Sequence, residues 1–85
     1  MPIPMNQAAN ELSLADTLTR SEIRCLQLTA QGYDVPAVAA AMSLAKREIE
    51  MLLYCAERKL NANNRLHAVC LAINLKIIEA DVKEG

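Results

Sequence analysis

The chain has no Trp and no Phe, and aromatic residues make up 2% of it. Ala, Leu and Ile must therefore fill the core. That suits helices packed side by side and argues against a β-sandwich, whose strands depend on aromatic and β-branched side chains. Two Gly and three Pro leave little material for tight turns, which again favours a helical chain. Charge of one sign is also missing: the formal net charge is −1, so no global basic field draws in nucleic acid. Any DNA contact has to come from a local patch, or from a dimer that concentrates one. The three Cys are odd in number, and their positions, 25, 55 and 70, match no metal motif. Cys25 and Cys70 fall in apolar helical patterns and are expected as small buried hydrophobes, with Cys55 more exposed. Nothing beside Cys55 marks an activated thiolate, and reduced thiols in a cytoplasm are expected.

The N-terminal stretch has neither a basic region nor a long apolar run, so no signal peptide is expected. No segment approaches the roughly 18 uninterrupted apolar residues of a membrane span. The lone His67 has no Ser or Cys at a supporting spacing, and there is no glycine-rich phosphate loop and no ligand cluster. The expectation is of no enzyme, with no catalytic residues, metal, cofactor or small-molecule ligand. His67 itself is assigned no role.

What is present is helical periodicity. In residues 45–60 the apolar side chains fall at Ile49, Leu53, Ala56 and Leu60, with Leu52 beside them, forming one stripe. At about 100° per residue, the opposite face carries Arg47, Met51, Tyr54 and Arg58. Glu50 lies on one flank, with Glu48 and Cys55 on the other. This is a helix seated by one face and presenting a mixed basic, acidic and apolar face outward.

The remaining elements frame it. Residues 1–13 are polar, Pro-marked and without sustained periodicity, and residues 1–17 are expected as a flexible arm with room for a short helical turn around residues 7–12; residues 81–85 are expected as a tail. Thr19 with Glu22 three residues on is a capping-box pattern that opens a first helix, with Ile23, Leu26, Leu28 and Ala30 buried and Gly32 ending it. Asp34 caps a short second helix with Pro36 in its first turn and Val38, Ala39 and Met42 facing inward. Residues 43–45 turn into the third helix. Asn63 is placed to cap a fourth helix over about 64–80, which is apolar on two sides. Leu66, Val69, Cys70, Ile73 and Ile77 form one side, expected to close the core; Ala68, Leu71, Leu75 and Ile78 form the other. An uncovered second side marks a partner surface, and the sequence leaves open whether a second copy or the N-terminal arm covers it. The fold class is all-α, with one domain over residues 18–80. A short helix, a tight turn and a second amphipathic helix make a helix-turn-helix.

From Leu18 to Val69 the chain resembles the LuxR/GerE-type helix-turn-helix domain of bacterial transcription regulators. Leu18-Thr19 with Glu22, then Leu26, Leu28, Ala30 and Gly32, is similar to that family's first helix. Val38-Ala39, Met42 and Leu44 match its scaffold helix and turn, and Ile49 matches the apolar residue that begins its recognition helix. Lys59-Leu60, Asn64-Arg65 and Ala68-Val69 match its KL…NR…AV ending. The resemblance implies four helices, a third helix that enters the DNA major groove, a fourth that dimerises, and a role in transcription. The short N-terminal arm resembles the stand-alone members of the family. Departures from the family pattern bear on function, among them Val35-Pro36-Ala37 where the scaffold helix has a polar stretch. Ala45 stands where the family has a capping Ser, Glu50 where it has a DNA-contacting Lys, and Cys55 where it has an Asn. The basic residue expected before the first-helix Glu is shifted, with Arg20 present and Ser21 in its place.

The candidate base-reading residues are thus Arg47, Glu50, Met51 and Tyr54, and the candidate phosphate-holding residues are Lys46, Arg58, Lys59 and Arg65. Lys59 and Arg58 also complement the C-terminal helix dipole, a purely structural reading that remains open. The candidate dimer surface is Ala68, Leu71, Leu75 and Ile78. Two functions follow. One is a dimeric regulator that binds promoter DNA, with Glu50 accepting a hydrogen bond from cytosine. The other is an antagonist on the same fold that pairs with a related regulator and does not bind DNA itself. Both place the chain in the cytoplasm.

Overall fold

The computed structural model describes residues 17–80, and among them four α-helices and no strand. They are α1 (Arg20–Ala30), α2 (Val35–Met42), α3 (Lys46–Lys59) and α4 (Arg65–Asn74). The fold is all-α, as expected. The expected arm (apart from Thr17) and tail lie outside the described residues. None of these helices is long and apolar enough to cross a membrane.

Each helix begins where a side chain can satisfy its free amides. Thr19 and Glu22 form a complete capping box: Glu22 N–H donates to Thr19 Oγ1 (3.1 Å) and Thr19 N–H to Glu22 Oε1 (2.8 Å). Asp34 Oδ1 accepts from Ala37 N–H (3.0 Å), with Pro36 in the first turn of α2. For α4 the cap is Asn64, one residue later than expected, and its Oδ1 accepts from His67 N–H (2.8 Å). His67 has a local role after all, because its Nδ1 accepts from Asn63 N–H (3.0 Å). Only α3 lacks a side-chain acceptor at its N-cap. Ala45 has the extended backbone of a cap (φ −77°, ψ 152°), but only the reciprocal half of the box forms, Ala45 N–H donating to Glu48 Oε1 (2.9 Å). Ala45→Ser therefore supplies a missing acceptor at an exposed position. It should stabilise the domain by about 1 kcal/mol, raising the midpoint of thermal unfolding by roughly 4–8 °C; circular dichroism melts read this directly.

All four helices stop in the same way. A residue in the left-handed region follows the last turn, at Gly32 (φ 98°), Ser43 (φ 57°), Asn61 (φ 60°) and Lys76 (φ 62°). The next amide then reaches five residues back: Tyr33 to Leu28 O (3.1 Å), Leu44 to Ala39 O (3.0 Å), Ala62 to Glu57 O (2.8 Å) and Ile77 to Ala72 O (2.8 Å). Gly32 and Asn61 tolerate that backbone readily; a Lys does so at a cost.

The core draws on every element. Leu18, Cys25, Leu26 and Leu28 pack with Val38 and Ala39 of α2, with Ile49, Leu53, Ala56 and Leu60 from α3, and with Ala68, Val69, Ala72 and Ile78. α3 packs against α1, α2 and α4, so it is the element the others hold. Burial pushes the Cys25 thiol pKa up, with the nearby Glu22 carboxylate adding to the rise. Cys25 Sγ lies 3.6 Å from Met42 Sδ.

The fourth helix departs most from expectation. It ends at Asn74, not near Ala80. Beyond it the chain turns back, burying Ile78, and Glu79 is clasped at both backbone atoms by the Gln27 amide: Gln27 Nε2 donates to Glu79 O (3.0 Å) and Glu79 N–H to Gln27 Oε1 (3.1 Å). The faces also differ. Ala68, Val69 and Ala72 point inward, while Leu66 and Cys70, expected in the core, are exposed. Small residues let α4 lie close to α1 and α3, and the larger Leu66 is left outside.

Candidate nucleic-acid interface

Ile49, Leu53 and Ala56 fix α3 in the core, at 0%, 1% and 0% exposure. With that face seated, the opposite one must stand in solvent. Arg47, Glu50, Met51 and Tyr54 are all exposed and run along one side of the helix. Met51 and Tyr54 are 60% and 57% exposed, large side chains that α3 leaves outside the core. Lys46 and Arg47, the first two residues of α3, are exposed and make no hydrogen bond or ion pair among the described residues. Glu50 is likewise unpaired. The α3 face thus offers two free cations at its entry and one free carboxylate a turn further on.

The other expected phosphate contacts are less free. Arg58 sits over the Tyr54 ring (5.8 Å to its centre), with Nη1 3.4 Å from the Tyr54 hydroxyl, so the two act as one unit. Arg65 Nε is 3.9 Å from Glu57 Oε2, a loose surface pair. Lys59 is tied into the domain itself. Its Nζ donates to Glu22 Oε1 (2.9 Å), Glu22 Oε2 (3.0 Å) and Thr17 O (3.0 Å). An ammonium has three protons, and all three are engaged. The Glu22 side chain is 5% exposed, so Lys59 neutralises a buried carboxylate.

The expected dimer surface is corrected in part. Ala68 (0% exposed) and Ile78 (4%) lie inside this domain's own core and have no surface to offer a second copy. Leu71 is half-buried and Leu75 is exposed. The apolar side chains that α4 turns outward are Leu66, 72% exposed, and Cys70 one turn on, with Leu71 and Ile73 on the flanks.

Beside the reading face an open depression of about 460 Å³ is lined by Ser21, Leu44, Arg47, Glu48, Met51 and Leu52. It places the start of α1 next to the first half of α3. A smaller recess of about 160 Å³ is lined by Arg20, Ser21, Arg24 and Met42. Arg20, in the sequence only a displaced family residue, and Arg24 stand one turn apart on α1, both exposed.

A capped scaffold helix, a left-handed turn at Ser43 and a core-seated helix with an exposed mixed face form a helix-turn-helix. The profile of the luxR family of bacterial regulatory proteins matches residues 16–72. The chain belongs to the LuxR family. Over 67 residues it is 37% identical to the quorum sensing-dependent transcriptional regulators VjbR of Brucella ovis, Brucella abortus and Brucella suis. The match covers 79% of this chain and 26% of each relative, so the chain spans about a quarter of their length. No solved structure matches it. The matched LuxR-family segment includes all of α1, α2 and α3 and most of α4, and hence the whole exposed face of α3.

Proposed function

We propose that this domain regulates transcription by binding promoter DNA in the cytoplasm as a dimer, with α3 in the major groove. The observation that carries the reading is the division of α3: a fully buried inner face against an outer face in which Arg47, Glu50, Met51 and Tyr54 all stand free in solvent. Lys46 and Arg47 meet phosphate or a guanine edge, Arg58 and Arg65 hold backbone at the far end, and Met51 and Tyr54 contact thymine methyls. The outward side chains of α4, Leu66, Cys70 and Leu75 with Leu71, pair with a second copy and bring two such faces together. This doubling matters in a chain whose own net charge is −1.

A second reading is favoured by Glu50. Its exposed carboxylate forms no ion pair among the described residues and repels phosphates, so an antagonist that pairs through α4 with a related regulator fits the same fold. Fluorescence anisotropy on a pool of promoter fragments at about 50 and 200 mM salt, with Glu50→Lys alongside, separates the two. For a DNA-binding regulator, wild type binds a subset of fragments and weakens steeply with salt. Glu50→Lys then costs about tenfold or more on that subset if the carboxylate accepts from cytosine, about 1–3 kcal/mol of discrimination. For the antagonist, the folded wild type binds nothing even at low salt, and Glu50→Lys creates affinity.

A further inference from the structure

We propose that Arg20 and Arg24 of α1 form a second phosphate-binding edge, gripping the DNA backbone alongside the groove that α3 enters. The inference rests on the DNA-binding reading above and deepens it.

Position comes first. Arg20 and Arg24 are one turn apart on α1, both exposed, and line one recess with Ser21 and Met42. Ser21 also lines the depression bounded by Arg47 and Met51, so the two recesses share that residue. A duplex seated on α3 brings one wall of its groove over this edge.

Charge points the same way. The ion pairs among the described residues are Lys59–Glu22 and Arg65–Glu57, and neither Arg20 nor Arg24 is engaged. Two like charges at i, i+4 repel, and Arg20 opens α1 against its dipole just as Lys46 and Arg47 open α3 against theirs. The last turn of α1, where a cation stabilises a helix, carries none. Both helices thus hold their unpaired cations where local energetics disfavour them, and Ser21 lies in the lining of both the Arg20–Arg24 recess and the depression that Arg47 borders. A polyanion relieves all of these repulsions at once. The reading face also needs the support: Lys59 is committed to Glu22, Arg58 to Tyr54, and Glu50 adds a negative charge.

The test is a salt series of DNA binding by the full chain, comparing wild type with Arg20→Gln/Arg24→Gln and with Arg20→Lys/Arg24→Lys. Two lost phosphate contacts should make the slope of log affinity against log salt shallower by about 2, at about 0.9 per contact. Affinity should fall about equally across all fragments, and the Lys pair should keep the wild-type slope. Circular dichroism melts of the Gln pair should match wild type or rise slightly, since neither side chain supports the fold and their mutual repulsion is removed. A wild-type slope in the Gln pair, or a changed ranking of fragments in place of a uniform loss, overturns the proposal and leaves DNA binding through α3 standing. A folded wild type that binds no DNA overturns that reading and this proposal together. Capture of an acidic protein surface by the same edge, without DNA binding, counts as that second result.

Discussion

Leu53→Ala should remove a large part of the domain's stability and lower its urea midpoint sharply. Leu53 is 1% exposed at the centre of α3, packed among residues drawn from all four helices. Removing a buried Leu side chain costs about 2–5 kcal/mol, from lost transfer energy and from the cavity left behind. A domain of this size has only about 3–10 kcal/mol to lose. The aliphatic core has no large ring that could slide into the gap, which points to the upper part of the range. Urea titration followed by circular dichroism at 222 nm checks it. A midpoint close to wild type would show that the small side chains around Leu53 collapse into the cavity, and that α3 is seated chiefly by Ile49 and Ala56. Loss of DNA binding in this variant would follow from loss of the fold, so the same sample has to be examined for both.

Lys59→Met should destabilise the domain by roughly 2–4 kcal/mol, somewhat below a fully buried pair because the Lys59 side chain is 33% exposed and water reaches it. The mutation leaves the Glu22 carboxylate, 5% exposed, with a single remaining donor, Thr19 N–H, and leaves Thr17 O without the ammonium. Lys59→Met combined with Glu22→Leu removes both charges together. It should recover much of the loss, since replacing a buried pair by apolar groups is often close to neutral. A cycle of the two single variants and the double, read by urea titration, gives the coupling. The contrary outcome is specific: if Lys59 held phosphate, Lys59→Met would keep its unfolding midpoint and change only the salt dependence of DNA binding.

Several parts of this architecture were legible along the chain because the interactions that set them are local. Thr19 with Glu22 and Asp34 with Pro36 mark helix starts that depend on side chains three residues apart. Gly32 marks a helix end because only the absence of a Cβ makes its backbone free of strain. The stripe of Ile49, Leu53, Ala56 and Leu60 announced both the seat of α3 and the face it leaves outside. The family pattern followed from the same residues.

Tertiary structure decided the rest, wherever local rules allowed two answers. α4 is apolar on both sides, so periodicity could not choose between them. Close packing on α1 and α3 chose the side with Ala68 and Ala72, and turned Leu66 and Cys70 outward. Lys76 carries no turn signal, yet it takes the left-handed backbone. The burial of Ile78 and the clasp of Gln27 on Glu79, 52 residues away in sequence, lie on the far side of that turn and offset its cost. Lys59 stands in the sequence as an unpaired cation, and the fold brings Glu22, 37 residues away, beneath it. Sequence alone determined which face of α3 stands in solvent. Which of the domain's cations remain free depends on contacts between distant segments, and only the packed structure makes those contacts.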